Sequence, residues 1–315
     1  GTAVTWLPAG TAYFPGGQEA GPRLRARYGA AGVGSLLIPG TPVLFEGIND
    51  RGLMGGQLNY REFARYPERP AADRLPLAPP FLVGHVLSQC ASVEEAARML
   101  AEEVSLAAVP VLGAVPTLHW AFSDATGEMM VVEPDAGGLR IYRNTLGVMT
   151  NSPGYPWHRT NLLNYTGIQP GDREGPELDG AGLSPCFSGS GAQGLPGDWS
   201  SPSRFVRLAF LRQYAVKGRD EAQGTAYLFR LLQIAAFPLG MVRVPQTAAA
   251  AHDTGVVPYD YTLYSCVLCA ESRRFYWTTY EDQSPRYVEL DRLALCREPV
   301  EFPLEGGPEF RLLDR

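Results

Sequence analysis

The sequence predicts an α+β protein built on antiparallel sheets, on three observations. Strand-like segments come first, helical ones follow, and strands return near the end, which is the order of an α+β chain. Short apolar runs are separated by turn signals, with 35 Gly and 27 Pro in 315 residues. No linker-like stretch and no internal repeat divides the chain, so residues 1–315 read as a single domain.

Taken in order, Thr2–Leu7 and Thr11–Phe14 are short strand candidates around a Pro-Ala-Gly turn. Gly32–Ile38, Val43–Glu46 and Leu53–Asn59 continue the series, broken by Pro39-Gly40 and by Asn49-Asp50-Arg51-Gly52. Such spacing suits a meander with one face buried. Residues 61–80 are rich in Pro and Arg and read as a surface loop, followed by a helix at about 80–90. The next helix has a marked start: Ser92 is an N-cap and Glu95 the third helical residue of a capping box, and Ala96, Ala97, Met99 and Leu100 supply an apolar face. His119–Asp124 and Glu128–Glu133 flank Ala125-Thr126-Gly127, a hairpin turn, and Gly138–Arg143 adds a strand. Residues 166–193 form a long Gly-, Pro- and Ser-rich excursion. Ser201–Lys217 and Asp220–Phe237 read as helices, and strands return at 262–270 and 274–280.

Composition excludes several classes of function. A net charge of −6 without a Lys/Arg cluster gives nucleic acid no basic face. No apolar run approaches the roughly 20 residues that span a bilayer. No signal segment precedes Gly1, so the chain is expected to be cytoplasmic, or exported with its leader already removed. Hydrophobic content of 45% fits a globular chain with a substantial core.

Five cysteines cannot all pair with one another. Cys266 and Cys269 form a CxxC, but it lies on a strand, where positions three apart face opposite sides. No second CxxC and no nearby His completes a zinc set. A structural role is expected for these two, and for Cys90 and Cys186. Neither a metal nor a cofactor is expected.

Four segments carry most of the information about function. They are FEGINDRGLMGGQLNY (45–60), the stretch at 117–133 with Leu118-His119-Trp120 and Ser123-Asp124-Ala125-Thr126-Gly127, VMTNSPGYPWHRTNLLNY (148–165) and GLPGDWSSPSRFVRLAFL (194–211). Together they resemble the choloylglycine hydrolase and penicillin V acylase family over roughly residues 1–290. The resemblance implies a four-layer αββα sandwich of the N-terminal nucleophile hydrolase type and cleavage of a linear amide C–N bond. It also implies an acylated small molecule as substrate or ligand, such as an N-acyl amino acid, a conjugated bile acid or a penicillin-like amide, and assembly as a homodimer or homotetramer.

By the same resemblance Asn151 helps position substrate and stabilise the oxyanion, and Asn59 supplies another donor to it. An amide NH₂ aimed at a developing alkoxide contributes a few kcal/mol. Arg204 matches an arginine near the nucleophile. Read from chemistry alone, Asn151 is a turn residue before Ser152-Pro153, and Arg204 caps loop carbonyls. Tyr280-Glu281 and His119 read as framework, and His158 and His252 carry no triad or ligand spacing.

The resemblance breaks at the beginning. Gly1 stands at the position of the family's nucleophilic cysteine, whose own α-amine serves as base. By the resemblance, the family's Gly-Arg-Asn-x-Asp element corresponds to Phe14-Pro15-Gly16-Gly17-Gln18-Glu19, where Glu19 is a stand-in for the aspartate and no residue replaces the arginine, with Arg23, Arg25 and Arg27 just downstream. Three readings stay open: an engineered Cys→Gly change, removal of Gly1 to leave Thr2 as the nucleophile, and a divergent member that has altered or lost amide hydrolysis. Thr2 lies beside the nucleophile position, which would turn its side chain to the other sheet face. The rival from another class is a ligand binder or repurposed catalyst of secondary metabolism on the same scaffold.

Overall fold

A computed structural model describes residues 2–17, 21–36, 42–111, 113–243, 259–304, 306–308, 310 and 312–313. Strand β1 (Ala3–Leu7) is buried along its whole length. The short β2 (Ala12–Tyr13) pairs with β3 (Leu24–Arg25). A meander follows of β4 (Ala30–Ser35), β5 (Val43–Asn49) and β6 (Met54–Asn59). Gly52, at φ +84°, closes the β5–β6 turn in the left-handed region, where a side chain is strained.

Residues 61–80 are not loop throughout. β7 (Leu75–Leu77) ends on the fully buried Leu77, because it runs parallel to a strand beyond the next two helices. Those helices are α1 (Leu82–Gln89) and α2 (Val93–Glu102), and the parallel partner is β8 (Val104–Leu106). The capping box forms as expected. Glu95 N donates to Ser92 Oγ at 3.2 Å, and the Glu95 carboxylate accepts from Ala91 N at 2.9 Å.

The predicted hairpin is β9 (Leu118–Ser123) and β10 (Met129–Asp135), extended by β11 (Gly138–Tyr142). After α3 (Tyr155–Asn161), the excursion at 166–193 holds the small pair β12 (Glu177–Leu178) and β13 (Ala181–Gly182). Helices α4 (Ser201–Tyr214) and α5 (Glu221–Ala235) are capped by Ser200 and Asp220. β14 (Val242–Arg243) pairs with β15 (Tyr259–Asp260). A second sheet is made of β16 (Tyr264–Cys269), β17 (Arg274–Thr279) and β18 (Arg286–Glu289). The short α6 (Leu290–Leu293) leads to β19 (Val300–Pro303), which returns to pair with β1.

Among the described residues the large sheet has eight strands in the order β11-β10-β9-β6-β5-β4-β1-β19. One face packs on α1 and α2 through Leu44, Leu82, Val86, Trp120 and Phe122. The other face meets the second sheet through Val4, Trp6, Val33, Ile48, Phe275 and Trp277. Further along that face, Val131 of β10 packs on Tyr155 and Phe205 from α3 and α4. With α5 against the outer side of β16, the layers run αββα. Each large apolar side chain buried between them stabilises the fold by about 1.5–3 kcal/mol. Among the described residues no helix is long and apolar enough to cross a membrane.

Candidate active site

Between the β4/β5/β6 part of the large sheet, the second sheet and α4 lies a cavity of about 890 Å³. Its wall includes Ser35, Glu46, Asn59, Asn151, Arg204 and Tyr264. Three of the residues singled out in the sequence are therefore brought together, from three separate segments.

Asn151 is the centre of that group. Its Oδ1 accepts from Arg204 Nη2 at 2.7 Å, and its Nδ2 donates to the Asn59 carbonyl at 2.9 Å. Its own carbonyl accepts from Ser201 Oγ at 2.7 Å and from His158 Nε2 at 2.9 Å. The Asn59 bond engages one N–H of the Asn151 amide. Only the second N–H is left to meet a ligand.

Arg204 caps a loop carbonyl and also reaches Asn151. Its Nε caps the Trp199 carbonyl at 2.9 Å, while its guanidinium lies 4.9 Å from the Phe237 ring centre and reaches Asn151. Burial pulls its pKa below the usual arginine range, with Asp260 acting in the opposite sense. The fixed fork of arginine is what allows two acceptors and one aromatic face to be served at once.

His158, which stands in no triad or ligand spacing, holds the Asn151 carbonyl. A carbonyl can only accept, so Nε2 carries the proton. The ring stacks on Phe205 with centroids 4.6 Å apart and planes 9° from parallel. Burial depresses its pKa, which keeps it neutral near pH 7.

A buried polar cluster supports the same loop from below. Tyr60 stacks on His119 at 4.5 Å, and a Glu133 oxygen accepts from Tyr155 N at 2.7 Å. Burial first, then the Glu133 charge, pushes the Tyr60 phenol up. Gly154 is fixed by this contact. A Cβ there would stand 2.7 Å from Tyr60 Oη and 2.8 Å from Glu133 Oε2.

Glu46 escaped the sequence reading for a structural reason. The β4–β5 register shifts between Val33 and Gly34, so that Val33 faces Glu46 and Gly34 faces Leu44. Phe45 is thereby bulged out of the pairing, and the two residues flanking it turn to opposite faces. Leu44 points to the helices and Glu46 to the second sheet, where Tyr264 hydrogen-bonds its carboxyl. Without the bulge, strict alternation would put Leu44 and Glu46 on one face.

Thr2 is exposed and precedes Ala3, which pairs with Gly34, so it adjoins the end of β4 where Ser35 lines the cavity. Gly1, Glu19 and His252 lie outside the described residues. Cys266 and Cys269 stand opposite Trp277 and Arg274 in the register, and the five cysteines are unpaired thiols. No cluster of metal-binding side chains occurs among the described residues.

The chain matches the family of linear amide C–N hydrolases, choloylglycine hydrolase family, over residues 3–302. It is 29% identical to a bile salt hydrolase/transferase of Clostridium perfringens over 271 residues, 85% of this chain and 79% of that one. It is 30% identical to a conjugated bile acid hydrolase of Lactobacillus acidophilus over 258 residues, 81% and 78% of the two chains. A crystal structure of a cysteine-to-alanine mutant of the conjugated bile acid hydrolase from Clostridium perfringens superposes with a TM-score of 0.88 at 25% identity, covering 99% of this chain and 92% of that one. Penicillin V acylase from Agrobacterium tumefaciens shares the fold, with a TM-score of 0.68 at 20% identity over 94% and 80% of the two chains. With a matching fold, and with matching sequence along nearly its whole length, the chain belongs to the choloylglycine hydrolase family of linear amide C–N hydrolases.

Proposed function

We propose that this protein holds an acylated small molecule in the cavity, with the amide carbonyl at the free N–H of Asn151, and acts on its C–N bond. The observation that carries the reading is the clamp on Asn151. Held at Oδ1, Nδ2 and its backbone carbonyl, the amide cannot flip or swing, so its remaining donor is preorganised for a developing oxyanion. Asn59 and Arg204 border the same space, and its volume suits a ligand of drug-like size. The names of the relatives support a bulky acyl group of the bile acid kind.

On this reading the nucleophile is where the chain departs from its family. Gly1 falls on the family's cysteine, and no arginine stands in Phe14-Pro15-Gly16-Gly17-Gln18-Glu19. These residues support altered chemistry on that half of the site, with Glu19 as a substitute acid and Thr2 as a nucleophile once Gly1 is removed. The same observation favours the second reading, a binder or repurposed catalyst that keeps the polarising half, Asn59, Asn151 and Arg204. Assembly as a homodimer or homotetramer belongs to the proposal as well.

The test is amine release from choloylglycine, penicillin V and N-lauroylglycine, by the chain and by its Gly1→Cys variant, alongside binding of each amide. Release by the chain itself supports amide hydrolysis, and release by the Gly1→Cys variant alone assigns an engineered or recently lost nucleophile. Binding without release by both assigns the second reading. If none of the amides binds, the acyl-amide reading fails.

A further inference from the structure

The cavity has a second polar feature that the amide clamp does not use. Glu46 is partly buried on its wall, and its Oε1 is enclosed with no hydrogen-bond partner. The Tyr264 phenol bonds the carboxyl, and Tyr264 lines the cavity too. Opposite Glu46 on β6 is Gly56, where even a methyl would come 3.3 Å from Glu46 Cβ. A side chain at Gly56 would press on the stem of Glu46, whose carboxyl end lines the cavity.

A carboxylate in this position would leave a buried, charged oxygen unsatisfied, which costs more than a lost neutral hydrogen bond. A neutral carboxylic acid avoids that. Oε1 is closed off from the cavity, so it is Oε2, the oxygen that Tyr264 reaches, that carries the proton, and that proton needs an acceptor. The space beside it belongs to the ligand.

We propose that Glu46 and Tyr264 form a proton-bearing recognition pair, in which neutral Glu46 donates a hydrogen bond to an oxygen of the ligand's acyl group. This rests on the acyl-amide reading of the cavity and adds a specificity to it: acyl groups bearing a hydroxyl or carbonyl oxygen at that depth are preferred over plain alkyl chains.

The surroundings agree. Burial raises the Glu46 pKa to about 7, and the Tyr264 bond only partly opposes it. Tyr264 and Cys266 face it from β16, and both are pushed far above their ordinary ranges by burial and by the Glu46 charge. From β4 and β6 it faces Val33 and Gly56, which do not titrate. Arg61, Arg204, Asp260 and Tyr261 stand elsewhere on the cavity wall. Glu46 is therefore the group whose charge changes near neutrality at this end of the site.

The experiment measures binding of choloylglycine, whose acyl group carries hydroxyls, and of N-lauroylglycine, whose acyl chain carries none, at about pH 6 and about pH 8. Wild type, Glu46→Gln and Tyr264→Phe are compared, and the Glu46 carboxyl is titrated by ¹³C NMR in the free protein. Only the protonated fraction is competent, so wild-type affinity for choloylglycine should fall about tenfold between the two pH values. Glu46→Gln, a neutral donor of the same shape, should remove that fall, and N-lauroylglycine should show none. Tyr264→Phe should lower the choloylglycine preference and leave folding intact. A Glu46 carboxyl titrating near 4.5, or a choloylglycine profile identical in wild type and Glu46→Gln, overturns the recognition role and leaves the ligand class standing. If neither amide binds at either pH while Glu46 titrates near 7, the acyl-amide reading is overturned, and the recognition role with it.

Discussion

The Arg204 guanidinium donates to Asn151 Oδ1 at 2.7 Å, and this bond fixes which way the Asn151 amide faces. With Oδ1 claimed by a cation, Nδ2 must turn to the Asn59 carbonyl, and the second N–H is aimed by default. Arg204 is thus a positioning residue, with its own geometry set by Trp199 and Phe237.

Arg204→Lys should not be conservative. A lysine ammonium cannot reach the Trp199 carbonyl, the Phe237 face and Asn151 together. Choloylglycine affinity should fall about tenfold or more, on the order of the 1.5–3 kcal/mol of a charged hydrogen bond. Calorimetric titration of the folded variant checks this, and unchanged affinity would remove Arg204 from the site.

Glu46→Gln should stabilise the protein in a pH-dependent way. The folded pKa, about 7, lies above the ordinary 4.5, so the wild-type acid is fully stabilising below pH 4.5. As pH rises from 4.5 to 7 the unfolded chain gives up a proton that the folded one keeps, and stability is lost. The glutamine has no such loss. Its advantage should grow by roughly 3 kcal/mol across that window and then stay level. Urea unfolding at about pH 5 and about pH 8 measures it.

Gly154→Ala should destabilise the Asn151 loop. The new methyl meets Tyr60 Oη and Glu133 Oε2 inside 3 Å, and the stacked Tyr60–His119 pair leaves little room to yield. A loss of about 1–3 kcal/mol is expected from such overpacking. Chemical denaturation reads the stability, and choloylglycine affinity should fall with it.

Ser92→Ala tests the plainest of the sequence readings. It removes the acceptor for Glu95 N at the start of α2, at a cost of about 1 kcal/mol. Val93 N keeps its bond to Asp124, so the helix should stay in place while the melting temperature drops by a few degrees.

Local signals in the chain were readable where the physics is local. The capping box at Ser92, the β9–β10 hairpin and the α4 and α5 helices all stand where periodicity and turn chemistry put them. Long-range pairings were not. β19 joins β1 across nearly the whole chain, and β7 meets β8 around two helices, so neither leaves a turn signature. The same division runs through the site. Motifs point to Asn59, Asn151 and Arg204, which the fold brings to one cavity wall, but Glu46 faces the cavity only because Phe45 is bulged. His158 was passed over because its partner is a backbone carbonyl, which no residue spacing reveals.

The most direct test of the site is a crystal structure of the protein with choloylglycine bound. The amide carbonyl oxygen should lie within about 3.2 Å of Asn151 Nδ2, with the acyl group running towards Glu46 and Tyr264. A ligand seated in another pocket, or one whose amide turns away from Asn151, would contradict the assignment of this cavity as the amide site.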